Sequence, residues 1–269
     1  MRRSLGGLIL LVSGVLFALA ISTFWLDRVA FTPEVDTDVT YAILEDEDIR
    51  LQIASVIAGA SASELGVSPA NLKVLVTQIA RIRDGATEMR VFTASAHELL
   101  IGDTDKPVVI TPDEQVQITR TERAAVLPPI TLPVERVGAF QALASVTTWT
   151  WMITFGLAAL TLLFGLVIRP ERGDILFALG VGCAATGLLL LLLGYIVPAF
   201  LFPSISNDVW VGIFPSLATH RRALTFAAAI VFVAIGAGAL FLAGGSRQRR
   251  QRSTPLAATR YREQQRWTS

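Results

Sequence analysis

The sequence predicts an α-helical membrane protein: four transmembrane helices plus a mainly helical extracytoplasmic domain with a small β element. Four apolar stretches, roughly Leu5–Leu26, Thr148–Ile168, Ile175–Pro203 and Ala223–Leu242, contain no charged residue. Each reaches the ~20 helical residues that cross a bilayer core. The chain is 52% hydrophobic and 17% charged, and the charge falls outside these stretches, as expected when a charge at a helix centre costs about 2.5–3.5 kcal/mol. Residues 27–147, between the first and second stretches, suffice for a compact domain with its own core.

Residues 1–26 read as the first transmembrane helix and a signal anchor. Ala18-Leu19-Ala20 also fits a small-residue cleavage site, but the apolar run continues through Phe24-Trp25-Leu26, longer than a signal core requires. Arginines beside the spans set orientation. Arg2 and Arg3 precede the first, Arg169 and Arg172 separate the second from the third, and Arg247, Arg249, Arg250 and Arg252 follow the fourth. Both termini are therefore expected in the cytoplasm, with 27–147 outside a bacterial plasma membrane. That segment carries 18 acidic and 10 basic residues, a local net charge of −8 within an overall +1. His220, Arg221 and Arg222 break the rule at the outer end of the fourth span, and pairing with Asp208 or with lipid phosphate would reconcile them.

Within 27–147, a helix is expected over about 43–60, behind the acidic run Glu45–Asp48. Ser68-Pro69, an N-cap followed by proline, opens a second, with Leu72, Leu75, Val76, Ile79 and Ile82 at helical spacing. A third, about 87–101, places Phe92, Ala96, Leu99 and Leu100 on one face. Pro107–Thr111 and Pro129–Pro133 read as short extended pieces. Thr111-Pro112-Asp113-Glu114 fits either a capping box opening a helix or a turn into a strand, so 112–124 stays open. Residues 148–245 form a three-helix transmembrane region, and 246–269 a disordered basic cytoplasmic tail.

The chemistry-bearing residues are sparse. Four consecutive carboxylates at Glu45–Asp48 cannot share one helix face, and acids at a helix start favour the macrodipole. His97-Glu98 has Ile101 where a zinc helix needs its second histidine. His97 and His220 are the only histidines, and Cys183 is the only cysteine, so no intramolecular disulfide forms. No G-x-S-x-G elbow, Walker sequence or dinucleotide fingerprint occurs. The spans lack the ionisable residues of coupled transport. Their small residues, Gly6, Gly7, Gly14, Gly180, Gly182, Gly187, Gly236 and Gly238, suit helix packing.

The expectation is therefore a protein without catalytic residues, metal or cofactor. Phe92, His97, Asp208 and Trp210 are the candidate interaction residues, and Arg247, Arg249, Arg250 and Arg252 the candidates for lipid contact. Expected partners are membrane lipid and another envelope membrane protein, not nucleic acid, with a homo-oligomer left open. Alternatives are a sensor signalling through the basic tail, or an enzyme on a lipid-linked substrate using Asp27, Glu34, Asp36, Asp38 or Asp208. Arginine outnumbers lysine 21 to 2, the signature of a GC-rich bacterial genome. In the order of its segments, in Phe92…Ala96-His97-Glu98-Leu99-Leu100 followed by Asp103 and Val108-Val109-Ile110, and in the Arg169-Pro170-Glu171-Arg172 loop, the chain resembles uncharacterised integral membrane proteins of actinobacteria. The resemblance implies the architecture of one span, a helical outer domain and three further spans, and assigns no residue a role.

Overall fold

Among the described residues, four helices are long and apolar enough to cross a membrane, and their sequences account for them: Gly6–Ala30, Gly138–Val167, Gly173–Ser204 and Arg222–Gly244. The computed structural model describes residues 2–168 and 172–253. The first span lies in α1 (Arg2–Ala30). Three helices of the inserted segment follow closely: α2 (Thr37–Leu44), α3 (Glu47–Leu65) and α4 (Pro69–Ala80). Next come α5 (Arg83–Ile101), the two-residue strand β1 (Val109–Ile110), α6 (Pro112–Thr119), and its partner strand β2 (Ile130–Thr131). The second span is in α7 (Gly138–Val167), and the third in α8 (Arg172–Leu191) with a π-helical continuation, Leu192–Leu201. A short helix α9 (Ile213–His220) precedes α10 (Arg222–Ser253), which holds the fourth.

Local chemistry sets the boundaries, and corrects several expectations. The acidic run does not open one helix over 43–60. Glu45 caps the C-terminus of α2, and Asp46 caps α3 by accepting from the Asp48 and Ile49 amides at 3.0 and 3.2 Å. Asp36 does the same for α2, accepting from Asp38 and Val39 at 2.8 and 3.1 Å. The reading overlooked α2 because its eight residues are too few for a clear apolar period. Gly66 and Gly102 end α3 and α5 at φ +68° and +80°, a region that favours glycine.

The capping-box alternative holds for α6. The Glu114 amide donates to Thr111 Oγ1, and the Thr111 amide donates to the Glu114 carboxylate at 2.7 Å. The two extended pieces pair only as an antiparallel ladder with Val109 opposite Thr131 and Ile110 opposite Ile130. Pro198 explains the π-helical turn: lacking an amide hydrogen and crowding the carbonyl four residues back, it disfavours a regular α-turn in the third span. The fourth span's helix continues to Ser253, carrying the backbone of Arg247–Arg252. The side chains of those four arginines and the rest of the basic tail, 254–269, lie outside the described residues, as do Arg169-Pro170-Glu171.

The chain divides into two units, one of residues 1–22, 150–191 and 226–269, the other of 23–149 and 192–225. In the first, glycines bring helix backbones close. A Cβ at Gly14 of α1 would sit 3.0 Å from Ala178 O of α8, and one at Gly236 of α10 would lie 2.8 Å from both Ala184 N and Gly180 O. Ser13 donates to Ala158 O at 2.9 Å, and Phe17 meets Phe155 edge to face.

The second unit is not the 27–147 segment alone. Its core joins Ile49, Ile53 and Ile57 of α3, Val76 of α4, Phe92 and Leu100 of α5 and Ile110 of β1 to Trp210, Phe214 and Leu217 from the stretch between the third and fourth spans. One phenylalanine beside each span meets in a single cluster. Phe214 lies 4.5 Å from Phe140, 5.0 Å from Phe202 and 6.2 Å from Phe31 between ring centroids, distances at which aromatic pairs attract beyond simple burial.

Candidate anion-binding cleft

The helices of the second unit leave an open cleft of about 760 Å³. Asp38, Tyr41 and Glu45 of α2 line it, with Arg81, Ile82 and Arg83 from the turn between α4 and α5, and Thr219, His220 and Arg222 from the junction of α9 and α10. The turn is held by Gly85, where a Cβ would come within 1.9 Å of the Ile79 carbonyl oxygen. A smaller recess of about 250 Å³ shares Tyr41, Glu45 and Arg81 with the cleft and ends on Arg50.

Arg50 is only 7% exposed. One guanidinium nitrogen, Nη1, donates to the carbonyls of Leu44 (2.5 Å) and Glu45 (3.0 Å), a clasp on the C-terminal end of α2. Its Nε has no hydrogen-bond partner, and no carboxylate pairs with it among the described residues. Buried charges are ordinarily paired because desolvation is expensive, whereas this guanidinium is held by backbone carbonyls alone. Within the cleft Arg83 is neutralised by Asp38. Arg81, His220 and Arg222 have no carboxylate partner among the described residues, and Glu45 is the acid facing them. The balance is positive, although residues 27–147 as a whole carry −8.

The candidate interaction residues lie elsewhere. Phe92, His97 and Trp210 are all buried in the core of the second unit, so they build the fold rather than present a surface. His97 sits among Phe214 and the end of α1, and its Nε2–H donates to Ala30 O at 2.9 Å. Burial holds its pKa down at about 4, against weaker opposing effects of the Ala30 carbonyl and Glu34. The imidazole is thus neutral, with its proton on Nε2. Asp208 is half-buried: it caps the turn at Trp210 (3.0 Å) and accepts from the Glu135 amide (3.0 Å).

The acids beside the membrane are likewise engaged one by one. Asp27 accepts from Thr148 Oγ1, Glu34 pairs with Arg221, Asp36 caps α2 and Asp38 pairs with Arg83. Arg221 therefore takes Glu34 as its partner, a third choice beside the two, Asp208 or lipid phosphate, considered from the sequence. The sequence reading missed Arg50, Tyr41 and Arg81 as a group because they lie on three different elements. The one legible signal was the charged triplet His220-Arg221-Arg222 at the edge of an apolar span. Among the described residues no group of three or more histidine, cysteine, aspartate or glutamate side chains is placed to hold a metal ion. No protein family, curated protein or solved structure matches the chain.

Proposed function

We propose that this chain is an accessory or scaffold protein of a bacterial plasma membrane, and that its second unit is an extracytoplasmic binding domain without catalytic activity. The supporting observation is the cleft at the α2, α4–α5 and α9–α10 junction, which is open, charged and lined by residues from three separate parts of the chain. Rigid walls around an open volume suit recognition of a partner or lipid held beside the membrane. The orientation rests on the arginine distribution around the spans.

Two measurements test this reading in intact cells. A photo-crosslinking residue at Ile82, half-exposed on the cleft wall, is expected to capture a discrete envelope component that the same residue at Val126, 87% exposed, does not. Identical products at both positions would remove the binding-domain reading. Val126→Cys, in a Cys183→Ser background, is expected to react with a membrane-impermeant maleimide. Labelling only after permeabilisation would move the domain to the cytoplasm.

A further inference from the structure

We propose that the cleft binds the phosphate of an anionic lipid headgroup, with Arg50 at its inner end and Arg81 and Arg222 at its mouth. The proposal gives the binding-domain reading a ligand. The geometry stands on three observations. First, Arg50 is buried, lacks a carboxylate partner among the described residues and lines the recess, while its Nε, closed off from solvent, has no hydrogen-bond partner. An oxyanion there would receive charge-assisted hydrogen bonds and neutralise a charge that is otherwise costly to bury. Guanidinium groups match phosphate oxygens in a planar, two-pronged geometry that lysine does not offer, and no lysine lines the cleft or the recess, only arginine.

Second, the recess and cleft share Tyr41, Glu45 and Arg81, so Arg81 and Tyr41 adjoin both the Arg222 side and the Arg50 side of a headgroup site. Glu45 contributes a carboxylate to the same wall, which suits a headgroup bearing a hydroxyl or amine beside its phosphate better than bare phosphate. Third, Arg222 begins the apolar segment Arg222–Gly244, long enough to cross a membrane. A guanidinium at the first residue of a span lies at the interface, where lipid phosphates are concentrated. This favours a lipid over a soluble phosphate compound as the source.

The test uses the full chain purified in zwitterionic-lipid nanodiscs, titrated with short-chain phosphatidylglycerol and followed by native mass spectrometry and salt dependence. To separate the cleft from the basic tail, the four arginines 247, 249, 250 and 252 are replaced by glutamine in a parallel protein. The expected result is saturable binding of one lipid, unchanged by the tail substitutions and weakened tenfold or more by Arg81→Gln combined with Arg222→Gln. Both side chains are exposed and lack carboxylate partners, so this variant is expected to fold. Arg50→Lys keeps the charge but not the fork, and is expected to weaken binding at a temperature where circular dichroism shows the variant still folded. Binding unaffected by Arg81→Gln/Arg222→Gln would overturn the proposal, as would equal binding of glycerol phosphate or inorganic phosphate. Because this is measured outside the cell, its failure is separate from failure of the crosslinking or labelling result.

Discussion

Acidification should destabilise the second unit through His97. The folded state holds the imidazole neutral, with a pKa lowered from 6.5 to about 4 by burial. As pH falls, the unfolded chain takes up the proton first, so the stability contribution is complete above ~6.5 and disappears progressively toward pH 4. At pH 5 the difference in proton uptake amounts to about 2 kcal/mol, and the full shift to about 3 kcal/mol. The groups around the ring are the Ala30 carbonyl, Phe214 and the Glu34 carboxylate, itself paired with Arg221. His97→Gln keeps a donor for Ala30 O and has no proton to gain. Urea unfolding in detergent micelles, followed by tryptophan fluorescence, compares the two proteins at pH 7 and pH 5; comparing them cancels the carboxylates they share. The wild type should lose about 2 kcal/mol more than the variant over that interval. Parallel losses in both proteins would show that His97 is not held neutral by burial.

Further substitutions probe the packing of each unit. Phe214→Ala, which empties the centre of the aromatic cluster, is expected to cost about 3–5 kcal/mol in the same unfolding assay; a change below 1 kcal/mol would mean that the cluster does not close the core. Gly85→Ala drives a methyl into the Ile79 carbonyl and should cost about 1–3 kcal/mol or more, whereas Gly59→Ala, with open space around it, should be neutral or slightly stabilising. In the first unit, Gly236→Ala must part α10 from the α8 backbone and lower the thermal midpoint in micelles by several degrees, while Gly238→Ala, with nothing within 4 Å, should leave it unchanged. Equal midpoints for the two would remove the close approach of α8 and α10.

Much of the local structure was legible because its causes are local. An uncharged run long enough to cross a bilayer declares itself by length and composition alone. Ser68-Pro69 and Thr111-Pro112-Asp113-Glu114 carry their own start signals, although Ser68 supplies only its backbone and makes no side-chain cap bond. The brief helix α2 and the two-residue strands were less legible, since so few residues give neither a period nor a pattern that outweighs neighbouring turns. Leu75 shares the helical spacing of Leu72 and Val76 yet remains exposed, because which flank of a stripe is covered depends on the neighbouring helix, and Ile82 lies beyond the end of α4, in the turn before α5.

The sequence by itself determined the four apolar helices, the start of α4 at Ser68-Pro69, the absence of any disulfide framework and the asymmetry of charge. Only the tertiary structure decided that 192–225 belongs to the same core as 23–149, that Phe92, His97 and Trp210 are interior residues, and that Arg81 lines both the cleft of Arg222 and the recess of Arg50. The physical reason is the range of the interactions. Hydrophobic length, capping and backbone hydrogen bonding act within a turn or two of helix, so they leave a trace in neighbouring letters. The meeting of Arg81 with Arg222 along one cleft, or of Phe31 with Phe214, depends on how packed helices return the chain to the same place, which no local pattern records.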